Sequence, residues 1–332
     1  MRQTRLLMTW LAGGLPMLVA SMLAAAALAT ATPAAAQTKV VVSIKPLHAL
    51  VAGVMAGVGT PDLLVKGSAS PHTYAMKPSD AKALNGADLF FRMSETVEPF
   101  TAKVVRALPQ RVQVVTLQDA PGLKLLPRRT SNTFEAHTHD GGKGHKHDHG
   151  HSKPAKVEGT VDGHVWLDPD NATAMVAAIY QALSAKYPAS AQAFQDNARA
   201  LTAKLDALAA ELETTLKPVA GKPYIVFHDA FQYLEDRYGL SAVGSISISP
   251  DLPPGAKRLS ELRKKVVSLG AVCVFAEPQF DTRLVQNLIE GTTVRTGTLD
   301  PEAGRLEPGP DLYFTLMRRL ADDLKGCLAP PS

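Results

Sequence analysis

The stretch that decides the fold is "PASAQAFQDNARALTAKLDALAAELETTLKP", residues 188–218, near the middle of the chain. Its apolar residues recur at spacings of three and four, which places them on one face of an α-helix: Phe194, Ala198, Leu201, Leu205, Leu208, Leu212 and Leu216. Pro188 suits a first helical turn and Pro218 ends the pattern. A helix of about 28 residues is roughly 40 Å long, enough to run along two domains. We therefore predict a linker helix at residues 188–217; a helix inside the second domain is the alternative.

Short apolar runs alternate with helical patterns on both sides of this helix. The strand candidates are "KVVVSIKP", Leu63–Val65, Ala87–Phe91 and Val112–Thr116 before it, and Tyr224–Phe227, Val243–Ile248, Ala271–Phe275 and Val294–Leu299 after it. Such alternation favours mainly parallel sheets covered by helices. The predicted fold is α/β, with two α/β lobes at residues 38–187 and 218–332 joined by the rigid linker helix.

The N-terminus predicts export. Arg2 and Arg5 precede an apolar, Ala-rich run from Leu6 to Leu28, and the small residues of "TPAAAQ" follow it. This pattern predicts a signal peptide at residues 1–36, cut near Ala36. An uncleaved anchor is the alternative, because the run is long enough to span a bilayer. We expect a periplasmic protein, monomeric and not inserted in the membrane after cleavage.

The composition limits the classes of partner that the chain is expected to bind. The 332 residues include 35 basic and 31 acidic side chains, a formal charge of +4, and no Lys/Arg-rich run. This balance argues against nucleic acid and against an anionic membrane as partners. The chain has two cysteines, Cys273 and Cys327, which most simply pair in an oxidising compartment. Thiolate metal ligation is the alternative, disfavoured because "AVCVFAEP" has the pattern of a buried strand.

A second stretch, "HTHDGGKGHKHDHGH", holds six of the ten histidines: His137, His139, His145, His147, His149 and His151. Imidazole is the commonest metal ligand in proteins. The surrounding residues, 128–160, are rich in Gly, His, Lys and Asp and have few apolar side chains, so we expect a disordered, solvated loop. Ordering such a loop around an ion costs conformational entropy. We therefore predict an accessory, low-affinity metal site; a linker without a metal role is the alternative.

Three histidines outside that loop are better placed. His72 in "SASPHTYAMKPSD" comes just after a predicted strand and before a helix. His164 in "VDGHVWLDP" lies where an ordered pattern resumes after the loop, and His228 in "YIVFHDAF" comes immediately after a buried strand. Ligands of open α/β sheets bind in the crevice beyond the carboxyl ends of the strands. We predict that these three side chains bind one metal ion in the cleft between the lobes. His48, in "IKPLHALVAG", is predicted to pack against or cap the start of an apolar helix.

Two carboxylates also follow predicted strands. Asp300, in "GTLDPEAG", is the predicted fourth ligand; a water molecule, or Asp300 as a simple turn residue before Pro301, are the alternatives. Glu277, in "FAEPQF", is predicted to orient a histidine by a hydrogen bond without touching the metal. Three neutral imidazoles suit Zn²⁺, whereas Mn²⁺ prefers more oxygen ligands.

Several motifs together carry a family resemblance: the His/Asp-rich loop, "PHTYAMKPSD", "HVWLDP", "YIVFHDAFQYLEDRYGL", "PPGAKRLSELR", "CVFAEPQF" and "TLDP". Over nearly the whole chain after the signal peptide, the sequence resembles the periplasmic zinc-binding proteins of bacterial zinc ABC transporters, within the wider zinc and manganese solute-binding family. The resemblance implies two α/β lobes joined by a long rigid helix, with metal in the cleft between them. It also implies metal-binding roles for His72, His164 and His228 and a disulfide between Cys273 and Cys327.

The sequence departs from the family pattern at one position. Some relatives have an acidic residue directly before the first histidine, where this chain has Pro71, so Asp300 or water remains as fourth ligand. Manganese-type relatives have a carboxylate at the position of His228, which again favours zinc here. The predicted function is capture of Zn²⁺ with high affinity and delivery to an ABC-transporter permease, with the His-rich loop collecting zinc or sensing it.

Two other classes of function are weaker. A zinc hydrolase is disfavoured because the sequence has no H-E-x-x-H helix and no marked general base, so we expect no enzyme activity. A zinc buffer or surface adhesin that works without a permease is the remaining alternative.

Overall fold

The computed structural model describes residues 38–131, 134, 161–247, 255–268 and 270–329. The predicted signal peptide, residues 1–36, and the six loop histidines, residues 137–151, lie outside the described residues. Strands of the first half form a sheet in the order β2-β1-β3-β4, with β1 at Val40–Val42, β2 at Asp62–Leu63, β3 at Leu89–Arg92 and β4 at Gln113–Thr116. Every pairing between these strands is parallel.

The second half repeats this architecture. Its sheet has the order β6-β5-β7-β8 and parallel pairings, with β5 at Pro223–His228, β6 at Ser241–Ser247, β7 at Cys273–Ala276 and β8 at Arg295–Thr298. The helices before the long one are α1 (Lys45–Val54), α2 (Pro78–Gly86), α3 (Thr101–Ala107) and α4 (Pro169–Lys186). The long helix is α5 (Ala191–Leu216), followed by α6 (Gln232–Tyr238), α7 (Ala256–Ser268), α8 (Arg283–Ile289) and α9 (Leu312–Leu328). The predicted two-lobe α/β fold is confirmed.

Helix α5 forms because one of its faces is continuously apolar. All seven residues that define the predicted face are buried. A 3₁₀ turn at Pro188–Ser190 precedes the helix, and a second one at Lys217–Val219, which contains Pro218, follows it. Its 26 residues give a length of about 39 Å, because an α-helix rises 1.5 Å per residue.

One apolar core runs through both halves. Side chains as far apart in sequence as Leu47 of α1, Met175 of α4, Leu205 of α5, Phe275 of β7 and Tyr313 of α9 belong to the same buried cluster. Smaller clusters cover the other face of each sheet. Close-packed interiors resist shear, so the shared core limits how far the two lobes can move independently.

The two cysteines are bonded to each other. Cys273 lies on β7 and Cys327 on α9, with their Cα atoms 6.1 Å apart. The predicted disulfide is therefore confirmed, and it fastens the last helix to the second sheet. Within the described ranges, no helix combines the length and the apolar character that crossing a bilayer requires.

The prediction of a solvated loop from residue 128 onward is wrong at its first residues. The guanidinium of Arg129 donates to the carboxylates of Asp229 at 2.9 Å and Glu235 at 2.6 Å. The ring of Phe134 is buried, and the Arg129 guanidinium carbon lies 4.1 Å from its centre. Arg129 is fixed in this position because the buried carboxylates of Asp229 and Glu235 need a partner of opposite charge. The ring of Phe134 lies against the guanidinium and shields these ion pairs from water.

Candidate metal centre

The structure brings the three predicted histidines together. His72 follows β2, His164 directly precedes the 3₁₀ turn Val165–Leu167, and His228 is the last residue of β5. One ring nitrogen of each lies within 4.8 Å of the other two. Zinc–nitrogen bonds are about 2.0–2.1 Å long, so these nitrogens can share one ion after small side-chain adjustments. No other group of three His, Cys, Asp or Glu side chains in the described ranges has this arrangement.

The three rings are removed from solvent. Their centres are 5.2–5.5 Å apart, and the side chains of His72, His164 and His228 are 8%, 8% and 1% exposed. Burial strengthens binding of a cation by nearby charges, because water screens those charges less.

Strand register explains how His228 meets Glu277. Strands β5 and β7 pair in parallel with Tyr224 opposite Cys273, so four residues later His228 and Glu277 lie at the same edge of the sheet. The Glu277 carboxylate accepts a hydrogen bond from the His228 backbone N–H at 3.1 Å. It also lies 2.6 and 2.8 Å from the ring Nδ1. An ionised carboxylate can only accept, so Nδ1 carries the proton and the lone pair of Nε2 is available to a metal.

The charge of Glu277 also sets the proton affinity of this ring. Burial by itself lowers the pKa of His228, but the carboxylates around it, Glu277 first and then Glu302 and Asp229, together raise the pKa above its ordinary value. Glu277 thus contacts His228 directly, and its role in orienting a metal ligand remains a prediction.

Asp162 orients His164 in the same way. Its Oδ1 accepts from the His164 backbone N–H at 3.0 Å and lies 2.7 Å from the ring Nδ1. The His164 Nε2 then lies 3.3 Å from the Nε2 of His228. Sequence reasoning missed Asp162, although the pattern Asp-Gly-His in "VDGHVWLDP" contained the signal. A carboxylate two residues before a histidine can reach the histidine ring when the residue between them is a glycine, because glycine has no side chain to accommodate.

His72 completes the group with a free nitrogen. Its Nε2 is buried and has no hydrogen-bond partner among the described residues. Burial lowers the pKa of His72 well below its ordinary value, and the neighbouring rings of His164 and His228 lower it further. This ring is therefore neutral at physiological pH, which is the form that binds metals.

The carboxylate that lies beside His72 is Glu302. Its Oε1 lies 3.7 Å from the Nε2 of His72 and accepts a hydrogen bond from the Ser70 hydroxyl at 3.3 Å. Its Oε2 is buried and has no hydrogen-bond partner in the part of the chain that the structure describes. Burial raises the pKa of Glu302 to about 8, although the nearby His228 opposes the shift.

Asp300, the fourth ligand predicted from sequence, is engaged elsewhere. Its Oδ1 accepts a hydrogen bond from the Gln279 amide at 2.7 Å, and its Oδ2 accepts one from the Arg305 backbone N–H at 3.3 Å. Neither Asp300 nor Glu302 belongs to the group of ligand atoms that lie within 4.8 Å of one another, but Glu302 contacts His72. Asp300 and Glu302 follow the same strand two residues apart, and only the path of the chain after β8 decides which one faces His72.

His48 stays outside the metal centre, as predicted. Its side chain is buried and its Nε2 lies 3.0 Å from the backbone carbonyl oxygen of Pro61.

Comparison with known proteins identifies the family. The sequence model described as "Zinc-uptake complex component A periplasmic" (ZnuA) matches residues 40–327. This chain belongs to the ZnuA family. The high-affinity zinc uptake system protein ZnuA of Brucella suis is 45% identical over 305 residues, which cover 87% of this chain and 91% of that protein. The ZnuA of Yersinia pestis is 35% identical over 295 residues, covering 88% and 92%.

A solved structure with a ZnuA-like fold agrees in architecture. The Zn(II)-bound ZnuA-like domain of AdcA from Streptococcus pneumoniae superposes with a TM-score of 0.67 at 24% identity, covering 89% of this chain and all of that one. The match to the family model and to the ZnuA relatives confirms the family resemblance inferred from the motifs. ZnuA proteins are periplasmic components of an uptake complex, which agrees with the expectation that this chain is not an enzyme.

Proposed function

We propose that this chain captures Zn²⁺ in the periplasm and delivers it to the membrane permease of an ABC transporter. The observation that carries the proposal is the convergence of three imidazole nitrogens within 4.8 Å, with two of the rings oriented by buried carboxylates. That donor set suits zinc. The names of the relatives, high-affinity zinc uptake system proteins, support the same cargo.

In the proposed site, the metal is bound by His72, His164 and His228, and Glu302 takes the fourth position that the sequence assigned to Asp300 or water. Support comes from the unpaired Oε2 of Glu302 and from its closeness to His72. Three nitrogen donors and one oxygen donor form a tetrahedral set typical of zinc. The negative charge of Glu302 would offset part of the ion's double charge in a buried site, where uncompensated charge is costly.

Other parts of the function rest on sequence. We propose that residues 1–36 direct export, that residues 38–187 and 218–332 act as two lobes around the helix at 188–217, and that the protein works as a monomer without nucleic acid. We also propose that the loop histidines, residues 137–151, collect zinc with low affinity for the buried site.

Zinc titration against a competing chromogenic chelator tests the site. Deleting residues 137–151 should remove weak binding and leave one tight site per chain. In that background, His228→Ala should abolish tight binding, whereas His48→Gln, which changes a buried histidine outside the site, should retain it. If His228→Ala binds zinc as tightly as its parent, the proposed site is wrong.

Delivery to a permease needs a separate test in cells. Zinc uptake should be lost when the chain is absent, restored by the parent and not restored by His228→Ala, although that variant is exported at the same level. A chain that binds zinc tightly, yet neither restores uptake nor binds the permease, would favour a zinc buffer or adhesin.

A further inference from the structure

The segment after β8, residues 300–306, belongs to the second half of the chain but is held by side chains of the first half. The indole of Trp166 donates to the carbonyl of Pro301 at 3.1 Å, and the hydroxyl of Ser68 donates to the carbonyl of Gly304 at 3.1 Å. Glu302 lies within this segment. The position of the fourth-ligand candidate is therefore set by contacts that cross between the halves.

Lys45 donates three hydrogen bonds to this segment, whereas Trp166 and Ser68 donate one each. Lys45 is the first residue of α1 and is only 4% exposed. Its ammonium donates to the carbonyls of Ala303 at 3.0 Å, Gly304 at 3.0 Å and Leu306 at 2.8 Å. A lysine ammonium has three donors, and here each has an acceptor on the same short segment. Charged donors make the stronger hydrogen bonds, so this arrangement fixes the path of the backbone.

The backbone of residues 300–306 includes a conformation that is unfavourable without contacts from the rest of the protein. Ala303 has a φ of +56°, and it is the single non-glycine residue with positive φ in the part of the chain that the structure describes. This left-handed conformation is unfavourable for an L-residue such as alanine, because its Cβ comes too close to the following carbonyl oxygen. The next residue is confined too, since a Cβ added at Gly304 would lie 3.3 Å from the Ser68 Cα. Contacts with the first half therefore impose the shape of the segment.

These observations point to a role for a residue that does not touch the metal. Building on the proposed role of Glu302 as fourth ligand, we propose that Lys45 is a positioning residue of the metal centre. By holding the carbonyls of residues 303, 304 and 306, Lys45 keeps the Glu302 carboxylate beside His72. The fourth ligand is then presented only while the two halves are in contact at this point.

A double-mutant cycle tests the proposal in the protein lacking residues 137–151. Zinc affinity is measured for Lys45→Met, for Glu302→Gln and for the double variant. We expect each single change to weaken binding about tenfold, the scale seen when groups that orient ligands are removed. Lys45→Met should have no further effect once Glu302 is replaced, because it acts through that carboxylate.

A spectroscopic readout separates positioning from general damage. The visible absorption spectrum of the Co²⁺-loaded protein reports which groups bind the metal, and Lys45→Met should shift it toward the spectrum of Glu302→Gln. Lys204→Met, which replaces an exposed lysine on α5, is the matched control and should change neither affinity nor spectrum. If Lys45→Met does not fold, Lys45→Gln, whose amide retains two donors, replaces it in the same cycle.

Each outcome is decisive. The proposal is overturned if the Lys45 variant binds zinc like its parent while Glu302→Gln binds weakly, or if the Lys45 change weakens binding equally with and without Glu302. If Glu302→Gln itself changes neither affinity nor spectrum, Glu302 is not a ligand and the role of Lys45 falls with it. Retention of tight binding by His228→Ala would instead refute the proposed zinc site as a whole.

Discussion

Glu277→Gln is the most informative single change at the metal centre. The Glu277 carboxylate accepts from the backbone N–H of His228 and lies within 2.8 Å of the ring Nδ1 through both oxygens. Glutamine has almost the same shape but carries no charge, and only one of its two terminal atoms accepts. The change therefore removes the negative charge that stabilises the proton on Nδ1, while the amide oxygen can still accept from it and the packing stays nearly intact.

The size of the effect follows from what the carboxylate does. Replacing groups that orient a metal-binding histidine typically weakens metal affinity by 10–100-fold. This corresponds to about 1.4–2.8 kcal/mol, because a tenfold change in Kd is worth about 1.4 kcal/mol. The lower part of the range is expected, because the amide oxygen can still accept from Nδ1, and the effect stays measurable because His228 and Glu277 are both 1% exposed, so the lost charge was weakly screened.

Zinc affinity is measured by competition with a chelator in the protein lacking residues 137–151, and circular dichroism of the metal-free protein verifies the fold. Glu211→Gln is the control, because Glu211 is a half-exposed glutamate on α5 paired with Arg318, outside the metal centre. A Kd for Glu277→Gln within about twofold of the parent would refute the reasoning, since the removed orientation should cost far more.

Three further predictions concern the rest of the fold. Gly163→Ala should lower both zinc affinity and Tm, because the added Cβ would lie 2.4 Å from the Val97 Cγ2 and displace the histidine that follows; unchanged values of both would contradict this. Burial raises the pKa of Glu98 from 4.5 to about 7. The folded state therefore keeps a proton that the unfolded chain releases, so the free energy of unfolding should fall by up to about 1.4 kcal/mol per pH unit as pH rises through that window. Urea titrations at several pH values should show that the free energy of unfolding of Glu98→Gln depends less on pH than that of the parent. If the pH dependence is unchanged, groups other than Glu98 cause it. Replacing Cys273 and Cys327 by serine should lower the free energy of unfolding by about 4 kcal/mol, because the disulfide closes a loop with a sequence separation of 54 and so reduces the entropy of the unfolded chain. If the parent and the variant are equally stable when both are measured in the absence of reductant, this prediction is wrong.

The periodicity of the apolar residues was enough to predict the architecture. The positions of three histidines relative to the predicted elements were enough to select three of the proposed ligands. The face of α5 follows from spacing alone, since burying it requires apolar residues every third or fourth position. His72 and His228 could be selected because each follows a strand, and the carboxyl ends of parallel strands meet at one edge of a sheet. These inferences depend on local pattern and general topology, both of which the sequence contains.

The remaining features depend on the path of the backbone between elements. Glu302 and Asp300 are indistinguishable by pattern, and contacts of residues 300–306 with the first half decide between them. Local pattern gives the side chain of Lys45 no role, although it donates to carbonyls more than 250 positions later. Local pattern places Arg129 in a solvated loop, because nothing near it in sequence shows that its partners are buried carboxylates on the other half.

The core that runs through both halves bears on how this polypeptide reaches its native form. Helix α9, the last 17-residue element, supplies side chains that pack against α1 near the other terminus. A chain truncated before residue 312 would leave that apolar surface without a partner, so neither half is expected to be an autonomous folding unit. A polypeptide synthesised N-terminus first can therefore complete this core only after residues 312–328 have been made.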